Sequence, residues 1–107
     1  MVVNRFDVYL VNLDPTVGSE IQKTRPALMI SPDEINHNSR TVIIAPMTTR
    51  GRAYPTRVAR RFQNKEGQIV LDQIRTVDKI RLVKRISRVD EDVQQQVLNA
   101  LQALFSV

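Results

Sequence analysis

The chain contains no cysteine and a single histidine, His37. Without thiols, disulfides and thiolate chemistry are excluded, which fits a reducing cytosol. With one imidazole, an acid–base pair of two histidines within one chain is impossible, and a metal site built from His and Cys is disfavoured. His37 lies between two asparagines and reads as a solvent-exposed side chain. The three glycines are scattered singly, so there is no glycine-rich phosphate loop or nucleotide fingerprint. No apolar run approaches the roughly 20 residues needed to span a bilayer. The N-terminal stretch MVVNRFDVYLVNLD carries Asp7 and Asp14 and no small-residue cleavage site after its apolar part, so it reads as a first strand and not as a signal peptide. Aromatic residues are few, two tyrosines and three phenylalanines. Internal repeats and low-complexity tracts are absent. Nothing in this inventory calls for a metal or a cofactor.

What is present fits one soluble globular domain over residues 1–107, with 42% apolar and 25% charged residues. The net charge of +5 is unevenly spread. Residues 50–88 hold 12 of the 16 Lys and Arg against three acids, Glu66, Asp72 and Asp78, for a local +9. The remainder carries four bases and eight acids. Such segregation favours a polyanionic partner, although a solvated basic face would look the same.

Phe6 to Asp14 is a strand ending at the turn signal Asp14-Pro15, and Pro26 to Ser31 is a second. Ser31-Pro32-Asp33-Glu34 suits a short helix with Pro32 at its first position, after which Asn36 and Asn38 suit a turn. Thr41 to Ala45 is a β-branched run and reads as a central strand, with its ladder loosening at Pro46. Shorter strands are expected at Tyr54 to Ala59, Gln68 to Leu71, Ile74 to Val77 and Leu82 to Ile86, with a turn over Gln63 to Gly67. Many short strands with frequent turns point to a small β-barrel. The end differs. Asp90 is a good N-cap, and Val93, Val97, Leu101, Leu104 and Phe105 recur at helical spacing, giving an amphipathic C-terminal helix.

The residues that remain could surround a phosphodiester. Pro26 biases Arg25 toward extended backbone, which holds a permanently charged fork at the mouth of a strand. Thr48 and Thr49 supply hydroxyls just after a strand, Glu20 is a carboxylate five residues before Arg25, and Asp72-Gln73 ends QIVLDQ. Each has a plain structural alternative. Arg25 could pair with a carboxylate, Thr48 could cap a loop and Asp72 could bond backbone amides.

The combination is more specific than its parts. DPTVGSEIQKTRPALMIS, VIIAPMTT, YPTRV and VLDQIRTVDKIRL occur in the order and spacing of the PemK/MazF family of toxin–antitoxin ribonucleases, and the resemblance covers nearly the whole chain. It implies a mainly β fold with accessory helices, an SH3-like small barrel of the CcdB/MazF type, assembled as a homodimer. It also implies a metal-independent endoribonuclease that cuts single-stranded mRNA at a short sequence. A cognate antitoxin with a disordered acidic tail inhibits such toxins, and the family's toxin–antitoxin complexes bind DNA. Arg25 and Thr48 match the family's central catalytic positions, and Glu20 matches a carboxylate thought to assist in some members. Two departures stand out. Some members carry histidine where Ser19 stands, and arginine where Val70 stands, so Asp72 loses those partners as a base.

On this reading Arg25, Thr48 and Glu20 carry the chemistry. Ser19, Thr49, Arg50, Arg52, Tyr54, Arg57, Asp72, Gln73, Lys79 and Arg81 contact RNA, with Tyr54 serving equally well as barrel packing. The rival functions are a DNA gyrase inhibitor, as CcdB is on this fold, and a non-catalytic RNA-binding barrel.

Overall fold

Alternation along strand β1 (Asp7–Asn12) sends Val8 to one side of the sheet and Tyr9 and Val11 to the other, and all three are buried. The same holds for β2 (Thr24–Met29) and β3 (Thr41–Thr48), so the central strands are covered on both faces. The computed structural model describes residues 2–14, 24–49, 57–62 and 65–107. Its further elements are α1 (Asp33–Asn38), β4 (Arg57–Phe62), β5 (Lys65–Val70), β6 (Arg75–Asp78), β7 (Leu82–Arg88) and α2 (Glu91–Leu104), with 3-10 turns at Leu71–Gln73 and Lys79–Arg81.

Among the described residues the strands run β4-β5-β3-β2-β1-β7, with β6 also on β3, and every pairing is antiparallel. No β4–β7 pairing closes the ring among these residues, so the fold is a strongly coiled, barrel-like sheet. One apolar cluster contains Val8, Leu28, Ala45, Met47, Ile69 and Leu71 and receives Val97 of α2. The other, on the opposite face, contains Tyr9, Val11, Ala27, Met29, Val42 and Ile44. Each fully buried Leu, Met or Ile contributes about 1.5–3 kcal/mol relative to exposure.

The structure corrects several local expectations. Pro46 does not loosen β3, which continues to Thr48. Ile43 directs its N–H and C=O toward the β2 side, where Ser31 Oγ and Ile30 N meet them at 3.0 Å each. Alternation therefore turns the Pro46 nitrogen to the other edge, between the end of the β6 pairing at Ile44 and the start of the β5 pairing at Met47. A missing N–H costs nothing in that gap. Pro32 is the N-cap of α1 and not its first helical residue, and no side chain caps that end. Asn36 and Asn38 lie inside α1 and not in a turn. Asn36 is buried because it is a hub: its Oδ1 accepts from Ser31 Oγ, its Nδ2 donates to Ser31 O at 2.8 Å, and its backbone carbonyl accepts from Lys79 Nζ. Lys65 to Gly67 are strand and not turn, since the β4–β5 hairpin pairs Phe62 with Lys65. In α2 the Asp90 side chain accepts from Val93 N at 3.2 Å as expected, but Phe105 falls beyond the helix and is exposed. His37 is on α1, with Nε2 2.9 Å from Asn4 Oδ1.

A carboxylate is buried at the start of β1. Asp7 accepts from Asn4 N at 3.0 Å and pairs with Arg85 Nε at 3.3 Å and Arg88 Nη1 at 3.4 Å. Beside it, burial pushes the Tyr9 hydroxyl above its ordinary pKa; Asp7 adds to that rise and Arg85 opposes it. On α1, the Arg5 N–H donates to Asp33 at 2.7 Å and holds that carboxyl below the usual range. Phe6, between Asn4 and Asp7, has φ 74°, a conformation costly for a residue with a Cβ. Its backbone bonds to Met29 and Val89, together with its buried ring, hold it there. No helix of the described residues is long and apolar enough to cross a membrane.

Candidate nucleic-acid interface and cleavage site

The β2–β3 register pairs Ala27 with Pro46, Leu28 with Ala45 and Met29 with Ile44. Continued by two residues, it sets Arg25 opposite Thr48. Both belong to the face that carries Ala27 and Ile44 further along their strands. Residues opposite one another on antiparallel strands have Cβ atoms about 4.5–5.5 Å apart. Two side chains separated by 22 intervening residues thus become neighbours at one end of the sheet, and both are half-buried.

The row extends sideways. On its other flank Arg25 is paired with Val11, and Thr48 is paired with Gln68 of β5. Gln68 in turn pairs with Ala59 of β4, and the next rung on the same face is Arg57 with Val70. Val58 and Ile69 point the other way, into the helix-side cluster. One face therefore presents Arg25, Thr48, Gln68 and Arg57. Asp72 joins them from the 3-10 turn. Arg57 Nε donates to its Oδ1 at 3.0 Å and Nη2 donates to Oδ2 at 3.2 Å, a two-pronged pair. Gln73, at the end of the turn, is half-buried. Thr49 is exposed just past β3.

Lys79 and Arg81 go elsewhere. Lys79 adjoins Arg40 through its backbone and supports α1 through its ammonium. It thus sits at the far end of β3 from Thr48, about 23 Å along seven residues of strand. Arg81 Nη1 donates to Asn12 O at 3.2 Å and to Asp14 O, and Arg75 Nη1 donates to Leu13 O at 3.2 Å. These two arginines clasp the end of β1, Arg81 from the β7 side of that strand and Arg75 from β6, where its pairing with Ile44 puts it on the same face of the sheet as Arg25. Six cations of the basic stretch, Arg57, Arg75, Lys79, Arg81, Arg85 and Arg88, thus hold structural partners. Bonds to neutral carbonyls leave the charge of Arg75, Lys79 and Arg81 in place, so they still attract a polyanion. Glu20, Ser19, Arg50, Arg52 and Tyr54 lie outside the described residues.

Gln68 escaped the sequence reading. Its Oε1 is buried and has no hydrogen-bond partner among the described residues, although it adjoins Thr48. Alternation about Ile69 signals only that Gln68 faces away from the helix side; the register supplies its neighbour. Val70 is fully buried, so no charge is offered from that position. Among the described residues no three His, Cys, Asp or Glu side chains are grouped to hold a metal ion. An open groove of about 490 Å³, lined by Leu10, Pro26, Lys84, Arg85 and Ile86, opens on the opposite face of β1 and β2 from Arg25.

A coiled antiparallel sheet backed by a C-terminal helix is the frame of a known toxin class. The sequence pattern of the family described as PemK-like, MazF-like toxin of type II toxin-antitoxin system matches residues 4–105, and the chain belongs to that family. It is 41% identical over 108 residues to the Endoribonuclease EndoA of Bacillus subtilis (strain 168), covering 95% of this chain and 93% of that one. Its fold is similar to the crystal structure of MazF from Deinococcus radiodurans, with a TM-score of 0.86 at 26% identity over 100% of this chain and 99% of the other. It also superposes on a mycobacterial endoribonuclease solved in complex with its cognate antitoxin, with a TM-score of 0.80 over 94% of this chain and 92% of that one; at 24% identity this likeness concerns the fold alone.

Proposed function

We propose that this protein is a cytoplasmic, sequence-specific endoribonuclease toxin that cuts single-stranded mRNA without a metal, acts as a homodimer and is restrained by a cognate antitoxin with an acidic disordered tail. The observation that carries the reading is the β2–β3 register, whose continuation beyond Ala27 and Pro46 brings Arg25 and Thr48 together on one face of the sheet. A sterically acting inhibitor has no need of a guanidinium and a hydroxyl set side by side. The 41% identity to an endoribonuclease supports the same reading.

RNA brings its own nucleophile. The 2′-oxygen attacks the adjacent phosphorus, the bond to the 5′-oxygen breaks, and a 2′,3′-cyclic phosphate and a 5′-hydroxyl result. The enzyme aligns the three atoms, which contributes about 7–11 kcal/mol in favourable cases. Arg25 binds the nonbridging oxygens, where negative charge grows, and Thr48 donates its hydroxyl to the same phosphate. Glu20 takes the 2′-proton, and the departing 5′-oxygen takes a proton from solvent water. Arginine is too weak an acid in water for proton donation to be its first role. Thr49, Gln73 and the cations Arg50 and Arg52 bind flanking nucleotides, with phosphate contacts setting affinity and salt dependence, while Lys79 and Arg81 add long-range attraction for the strand. Gln68, with an unmet acceptor beside Thr48, is an added candidate for receiving a base or sugar donor.

The test is incubation of purified protein with a long single-stranded RNA in EDTA. Discrete fragments with cyclic phosphate and 5′-hydroxyl ends are expected, and a deoxynucleotide at the cut position should block cleavage there. Intact RNA, or equal cleavage at the deoxynucleotide, would refute the proposal.

A further inference from the structure

The backbone ladder has a gap beside the candidate site. β6 pairs with β3 up to Ile44, and β5 takes over at Met47. The Leu71–Gln73 turn joins those two strands across the gap. Neither residue of β3 that lies in the gap can hold the turn through an N–H. Ala45 shares the backbone direction of Ile43, toward β2, and Pro46 has no N–H to offer. On one side the turn is anchored by Leu71, which is fully buried.

We infer that Arg57 is a positioning residue for the cleavage site: through Asp72 it anchors the other side of this turn at the Thr48 end of β3, and Asp72 is a buttress and not the base of the reaction. The inference rests on the function proposed above. The hairpin register aims Arg57 at its task. Arg57 stands opposite Val70, the last residue of β5, on the face shared by Gln68 and Thr48. Asp72 follows two residues later. The guanidinium uses its Nε and Nη2 edge on both carboxylate oxygens, at 3.0 and 3.2 Å. The two side chains are only 13% and 34% exposed, so water screens them less than it would a surface pair. Protonating Asp72 would remove the negative charge that strengthens both bonds to Arg57, so the pair disfavours its acting as a base. The fork also fixes the turn in position and direction, which a single ammonium could not do as well.

A double-mutant cycle tests this. Arg57→Gln, Asp72→Asn and the double variant are compared in single-turnover cleavage across pH, with thermal melts confirming that each folds. Each single variant should lose roughly tenfold in rate. The double variant should lose about the same, because both substitutions remove one device. The acid limb of the pH profile should survive Asp72→Asn, and Arg57→Lys should recover part of the Arg57→Gln loss. A loss that multiplies to roughly a hundredfold in the double variant would overturn the inference, as would disappearance of the acid limb in Asp72→Asn. The same cycle read on binding of an uncleavable deoxy analogue separates the two claims. Intact RNA with wild-type protein refutes the proposed function, whereas additive binding losses refute the anchoring of the turn by Arg57.

Discussion

Replacing Arg25 with Lys keeps a positive charge at the mouth of β2 and removes the fork. Arg25 is half-buried beside the last observed rungs of β2, and its contribution to folding is correspondingly small, under about 1 kcal/mol. For a domain of this size that corresponds to a change in Tm of roughly 4–8 °C at most. The chemical effect should be far larger. A well-placed donor at the charge-accumulating oxygens is worth about 3–4 kcal/mol in the transition state, or roughly 150- to 1,000-fold in rate. Lysine retains the Coulombic part but presents a point charge in place of two parallel donors aligned with Thr48. We expect Arg25→Lys to lose about a hundredfold in single-turnover cleavage and Arg25→Ala about a thousandfold or more. Binding of an uncleavable deoxy analogue should keep its salt slope in Arg25→Lys and lose about one phosphate's worth in Arg25→Ala. A lysine variant cleaving within about threefold of wild type would show that alignment by the fork is not used, and the catalytic assignment of Arg25 would fail.

Asp7→Asn should lower stability by about 1.5–3 kcal/mol in urea unfolding, since it leaves the shape but removes the charge that Arg85 and Arg88 share. The upper part of the range for broken buried pairs does not apply, because both arginines are about half-exposed and water solvates them; a change below about 0.5 kcal/mol would refute a structural role for the cluster. Tyr9 gives a pH prediction. Its folded pKa lies above the ordinary 10.0, so the folded state keeps a proton that the unfolded chain releases. Its contribution is therefore complete below about pH 10 and lost as pH rises through the folded value. The Tm of wild-type protein should fall more steeply between about pH 9 and 11 than that of Tyr9→Phe, and parallel slopes would contradict the assignment.

Where a signal is local, the sequence was readable. Asp90 caps α2 because a short acceptor precedes an amphipathic run, and the apolar runs that form β2 and β3 were legible, although both strands extend further than expected to take in Arg25 and Thr48. Membership of the PemK/MazF family was legible from four short motifs in order. Features that depend on a distant partner were not legible. Pro46 is harmless only because β5 and β6 divide the edge of β3 between them. Asn36 looks like a turn former until Ser31 and Lys79 are brought to it. Arg57 and Asp72 both appeared as RNA contacts, and their pairing with each other required the hairpin register. The orphan oxygen of Gln68 has no counterpart in composition or spacing.

The placement of α2 has a bearing on how the polypeptide is made. This last helix packs on β4 and on the Leu71–Gln73 turn, and its Val97 completes the cluster that holds Val58, Ile69 and Leu71. Strand β1, in turn, lacks its β7 neighbour until residues 82–88 exist. During translation every residue of the Arg25–Thr48–Arg57 face is synthesised before the elements that brace it. A growing polypeptide on the ribosome therefore carries Arg25, Thr48 and Arg57 before β7 and α2 exist to brace the strands that hold them.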